Sequence, residues 1–188
     1  MKNILILHGT GSNSQGNWFP WLADVMEQQG WKVWAPNLPG AEKPNMKTYT
    51  DHLLGNTEWK FNEQSVIVGH SSGAVAGLGL LNKLEEGKKI GTYIGVGAFH
   101  TDLNWESLKE LFVEPLNYER IKGHAAKFIF IHSDNDPHVP VIEAEYLARA
   151  LNGELIIKKG QGHFNLTRSP EYKEFPFLLE TILNLRTS

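Results

Sequence analysis

Ser65-Val66-Ile67-Val68-Gly69-His70-Ser71-Ser72-Gly73-Ala74-Val75-Ala76-Gly77 is the stretch whose reading decides the fold. A run of β-branched residues passes directly into Gly-x-Ser-x-Gly and then into small residues at helical spacing, the pattern of a strand, a sharp turn and a helix. Ser71 then sits on the turn. A turn tight enough to lift a serine hydroxyl clear of a sheet leaves no room for a Cβ two residues to either side, and Gly69 and Gly73 supply that room. Gly-x-Ser-x-Gly alone is common in ordinary loops, so its weight comes from the strand before it and the helix after it.

Outward from this turn, the same alternation repeats. Ile4 to Leu7 is a short continuous apolar run, as expected of a parallel strand buried on both faces. Trp18 to Gln29 reads as an amphipathic helix stopped by Gly30, and Trp31 to Ala35 as the second strand. A weak helix is expected between Met46 and Leu54. Ser65 to Val68 is the third strand, Ser72 to Leu84 a helix, and Ile90 to Val96 the fourth strand. An irregular piece from Ala98 to Ala125 carries Trp105, Leu108, Leu111 and Phe112 at helical spacing. Lys127 to Ile131, a helix from Val141 to Leu151, Glu154 to Ile157 and a final helix from Pro170 to Leu185 complete the chain. Strands alternating with helices from end to end predict an α/β fold, a three-layer α/β/α sandwich with about six parallel strands.

Composition narrows the function. A chain of 188 residues suits one domain, 1–188. The net charge is -3 and the basic residues are scattered, which argues against a nucleic-acid partner. The absence of cysteine excludes disulfides, thiolate metal sites and a cysteine nucleophile. The apolar run after Met1 is too short for a signal peptide, and no run is long enough to span a bilayer, so a cytoplasmic protein without a membrane partner is expected. The loop His8-Gly9-Thr10-Gly11-Ser12-Asn13 fails both phosphate-binding patterns. A dinucleotide fingerprint needs glycine where Ser14 stands and an acid after the second strand, and a nucleoside-triphosphate loop needs lysine where Asn17 stands. No cofactor is expected.

In an open parallel sheet the active site collects at the carboxyl ends of the strands. Ser71 follows the third strand, Asp136 the fifth and His163 the sixth. A serine hydroxyl becomes nucleophilic when an imidazole takes its proton, and the imidazole needs a carboxylate to fix its tautomer and stabilise its charge. Asp134 competes with Asp136 for that role, but Asp136-Pro137 followed by Val139-Pro140 holds Asp136 in a stiff turn. His132, Asp134, Asp136 and His138 also alternate like metal ligands. Catalytic metals are usually held from separate elements, so no metal site is expected. Oxyanion donors are expected from the backbone of Ser72 and of Thr10. His70 is assigned to packing. Phe99, Trp105 and Phe112 are candidates for a small apolar or aromatic acyl pocket, or equally for core.

Gly69-His70-Ser71-Ser72-Gly73-Ala74, Ser133-Asp134-Asn135-Asp136-Pro137 with Val139-Pro140, and Gly162-His163-Phe164 resemble the α/β-hydrolases, and within them the small capless serine hydrolases of the retinoblastoma-binding protein 9 type. The resemblance covers nearly the whole chain and implies Ser71 as nucleophile, Asp136 as acid and His163 as base. His8-Gly9-Thr10-Gly11 looks more like general lipases and esterases, which leaves the first oxyanion amide open. The expected activity is hydrolysis of small carboxylic esters or amides through an acyl-enzyme. The rival reading is a weakly catalytic protein of this fold that binds a partner around Trp18 and Trp21.

Overall fold

The computed structural model describes residues 1–167 and 169–185; of the expected domain 1–188, residue 168 and residues 186–188 lie outside the described residues. Strands β1 (Asn3–Leu7), β2 (Lys32–Trp34), β3 (Ser65–His70), β4 (Ile90–Val96), β5 (Ala125–Ser133) and β6 (Glu154–Lys158) form one sheet in the order β2-β1-β3-β4-β5-β6. Every pairing is parallel. β1 and β3 are buried throughout, which is why they read as unbroken apolar runs rather than alternating ones.

Helices α1 (Phe19–Gln28), α2 (Met46–Leu54), α3 (Ser72–Lys83), α4 (Tyr118–Gly123), α5 (Val141–Ala150) and α6 (Pro176–Leu183) cover both faces. The strand pleat divides the apolar residues between two cores. Leu5, Leu7, Ile67, Tyr93 and Phe130 pack with Tyr49, Leu78, Ile121 and Leu147 from α2 to α5. Ile4, Ile6, Val66, Val68, Ile94 and Ile131 pack with Phe19, Leu22, Leu178 and Ile182 from α1 and α6. The architecture is the expected three-layer α/β/α sandwich. No described helix is long and apolar enough to cross a membrane.

Three local expectations are corrected. The final helix is two pieces, a 3-10 turn over Pro170–Lys173 and then α6. Pro176 has no N–H to donate and pushes Phe175 out of helical backbone, to φ -140° and ψ 71°. The irregular piece contains a 3-10 turn over Glu106–Leu111 and, unforeseen, α4, whose N-terminus is capped by the Asn117 side chain accepting from the Arg120 N–H. Trp18 offers no docking surface, because it is 0% exposed and its Nε1–H donates to the Phe164 carbonyl at 3.1 Å. Trp21 is half-buried against the same core.

Candidate active site

Ser71 joins β3 to α3 with φ 54° and ψ -125°, a conformation that side-chain-bearing residues rarely adopt and that costs about 1–3 kcal/mol. Close backbone packing enforces it. A Cβ on Gly69 would collide with the backbone of Ala74, and one on Gly73 with the carbonyls of Leu7 and His8. The Ser71 N–H donates to the Val96 carbonyl at 2.9 Å, tying the turn to the end of β4. Ser72 opens α3, so its N–H has no acceptor within the helix.

The base and acid candidates meet across the neighbouring loops. The Nδ1–H of His163 donates to Asp136 Oδ2 at 2.7 Å, which leaves Nε2 as the proton-accepting nitrogen. Oδ1 of Asp136 accepts from the N–H groups of His138 and Val139 at 2.9 and 3.0 Å. Burial of this carboxyl pushes its pKa up, but the His163 bond and charge and the two backbone donors outweigh burial and hold it below its ordinary value. Asp136 is therefore an ionised partner for an imidazolium.

The residues leading to Asp136 also grip the backbone leading to His163. Ser133 Oγ accepts from the Gln161 N–H at 2.9 Å, Asp134 Oδ1 from Gly160 at 2.8 Å, and Asn135 Oδ1 from Gly162 at 2.8 Å. Asp134 thus anchors the loop that carries His163, while Asp136 alone of the two reaches the imidazole. Among the described residues no hydrogen bond joins Ser71 Oγ to His163.

The two loops expected to supply oxyanion donors are joined directly, with Thr10 Oγ1 donating to Ser72 Oγ at 2.9 Å. Gly9 lies against Ser71, where a Cβ would stand 3.0 Å from that of Ser71.

Three contributors escaped sequence reasoning. His70 is buried, as expected of a packing residue, but its Nε2–H also donates to the His163 carbonyl at 2.8 Å. Burial first, and then the nearby His163, push its pKa down to about 3, so it is neutral. His8 accepts from the Leu38 N–H through Nε2 at 2.8 Å, and burial lowers its pKa too. Gly97, at φ 58°, lies where a Cβ would be 3.2 Å from His163 Cε1 and 3.6 Å from Asp136 Oδ2. Its position directly after a predicted strand was the available signal.

The family described as serine hydrolase matches residues 4–181. The chain belongs to this family. Serine hydrolase RBBP9 of Rattus norvegicus is 27% identical over 183 residues, spanning 96% of this chain and 92% of that protein. The Bacillus subtilis protein YdeN is 28% identical over 164 residues, spanning 87% of this chain and 86% of its own. The crystal structure of the ydeN gene product superposes with a TM-score of 0.91 at 25% identity, covering 98% of each chain. The chain is a serine hydrolase with the α/β-hydrolase architecture.

The remaining candidates separate by exposure. Phe99 is 1% exposed within the core, with Phe112 packed against it at 6.0 Å between ring centroids. Trp105 is 45% exposed and meets the His138 ring edge-on at 5.8 Å. Among the described residues no three His, Asp or Glu side chains converge to hold a metal ion. His132 instead donates from Nε2 to the Val139 carbonyl at 2.9 Å. A cleft lined by Trp34, Asn37, Asp51 and His52 opens at β2 and includes neither Ser71 nor His163.

Proposed function

We propose that this serine hydrolase cleaves small carboxylic esters or amides through an acyl-enzyme on Ser71, with His163 as general base and Asp136 as its carboxylate. The observation that carries the reading is the 2.7 Å bond from His163 Nδ1 to Asp136 Oδ2, at the same sheet end as a serine held at φ 54°. The Asp136 bond fixes the tautomer whose Nε2 is free to take the Ser71 proton. Ser71 Oγ then bonds to the carbonyl carbon, and the resulting oxyanion is met by the N–H of Ser72 and the N–H of Thr10. Collapse expels the leaving group with the proton from His163, and water, activated by the same imidazole, releases the acid.

The Thr10–Ser72 side-chain bond supports this use of the two loops, because it holds together the amides that must act on one oxygen. Trp105 keeps the largest free surface of the three aromatic candidates and is the one with contact area for a bound substrate. A fluorophosphonate probe tests the reading. Wild-type protein should label, and Ser71→Ala should not; folded wild-type protein that fails to label overturns the assignment.

A further inference from the structure

The ring of His163 has its sides occupied unequally. The buried His70 ring lies 4.8 Å away on the core side, and Gly97 lies against Cε1. The His138 ring stands edge-on at 5.1 Å with an interplanar angle of 82°. His138 is only half-buried and carries the exposed Trp105 on its own edge, again nearly perpendicular at 84°. Rings therefore step from solvent through Trp105 and His138 to the imidazole, while His70 and Gly97 take up two other positions around it. The step is built rather than incidental: Asp136, which orients His163, also holds the His138 N–H through its second oxygen.

We infer that Trp105 and His138 form the wall of a leaving-group subsite that favours esters of aromatic alcohols. This rests on the reading of Ser71 and His163 given above. In acylation the Ser71 proton passes to His163 Nε2 as the Oγ–carbon bond forms, and the carbon–oxygen bond to the alcohol breaks as that same proton moves onto the departing oxygen. The leaving oxygen must therefore lie beside the imidazole, and on this proposal the group attached to it lies on the side of His138 and Trp105. That side is walled by two rings presented nearly perpendicular to their neighbours. An aromatic alcohol finds there an indole with surface to cover and favourable edge or offset contacts. The acyl group, on the other side of the carbonyl carbon, stays bonded to Ser71 after the alcohol has left.

The acyl-enzyme no longer contains the alcohol, which separates the subsite from a general effect on the machinery. Benzyl and ethyl esters of one short-chain acid are compared in wild-type protein, Trp105→Ala, His138→Ala and His138→Phe. The wild type should show the higher kcat/KM for the benzyl ester. Trp105→Ala and His138→Ala should each lower the benzyl-to-ethyl ratio of kcat/KM by about 2- to 10-fold, whatever either does to the deacylation step that the two esters share. His138→Phe, which keeps a ring, should retain the ratio. An unchanged ratio in Trp105→Ala overturns the subsite, as does loss of the ratio in His138→Phe or a change confined to deacylation. Fluorophosphonate labelling of the same samples tells the two failures apart: a labelled enzyme without the ratio change loses the subsite alone, and an unlabelled wild type loses the Ser71 reading with it.

Discussion

His70 donates from Nε2 to the carbonyl of His163 at 2.8 Å, so the residue immediately before Ser71 carries the backbone of His163. Strand β3 thereby positions both Ser71 and His163, one through a backbone turn and the other through a buried side chain. His70→Phe keeps a ring of similar size but removes the donor and leaves a buried carbonyl unpaired, a loss of about 1–3 kcal/mol. Urea denaturation should show that loss, and ester hydrolysis should fall chiefly in kcat. Unchanged kcat would leave His70 with packing alone.

Exchange of the two acids separates anchoring from chemistry. Asp136→Asn cannot hold the same tautomer of His163 and should lower kcat by about 10³- to 10⁴-fold. Asp134→Asn keeps an acceptor oxygen for the Gly160 N–H and should stay within a few-fold of wild type on the same assay. The opposite order would place the acid role on Asp134.

Gly97→Ala would bring a Cβ to 3.2 Å from His163 Cε1 at a position with φ 58°. The imidazole must give way, and a small displacement of a base is expensive in rate, here about 10- to 100-fold in kcat. Gly87→Ala is the control. It has φ 81° with open space around it, so it should cost stability by backbone strain and leave kcat unchanged.

Ser71→Gly should raise the thermal midpoint while abolishing activity, because glycine adopts the conformation at φ 54° without strain. Ser71→Ala should abolish activity without that gain. Calorimetry on the pair measures how much stability the turn withholds, and equal midpoints would mean that it withholds none.

Acid should weaken the fold earlier than carboxylate titration alone predicts. Burial holds His8, His70 and His132 below their ordinary pKa of 6.5, His70 at about 3. The unfolded chain therefore binds more protons below pH 6.5, and stability is lost as the pH falls through that value. The slope is up to about 1.4 kcal/mol per pH unit for each histidine. Asp136 acts lower down: its contribution is complete above 3.8 and disappears as the pH falls through its depressed folded value. Urea midpoints should be flat from pH 8 to 7 and decline below 6.5, less steeply in His70→Phe. A flat profile to pH 5 would contradict the neutral buried histidines.

What could be read from the sequence was what depends on local pattern. Val66-Ile67-Val68 before two spaced glycines shows strand and turn together, because a buried strand and a clearance constraint each leave a mark in consecutive residues. Asp136 and His163 could be placed at strand ends for the same reason. Pro176 should have broken the last helix, and its effect was hidden by the apolar spacing on either side. The role of Trp18 was invisible because its partner, the Phe164 carbonyl, is 146 residues away. The grip of Ser133, Asp134 and Asn135 on residues 160–162 was equally hidden, since backbone N–H groups leave no trace in side-chain chemistry.

Those long spans also set when the protein becomes competent. The loop of His163 hangs from Trp18 and His70 by bonds that bridge 146 and 93 residues. Both anchors are synthesised well before the loop they hold, and a nascent chain displaying the complete serine turn still lacks His163. During translation at about 5–20 residues per second, Ser71 emerges several seconds before His163. Activity should appear only after the last strand, the loop of His163 and α6 have all emerged, and products truncated before His163 should be inactive.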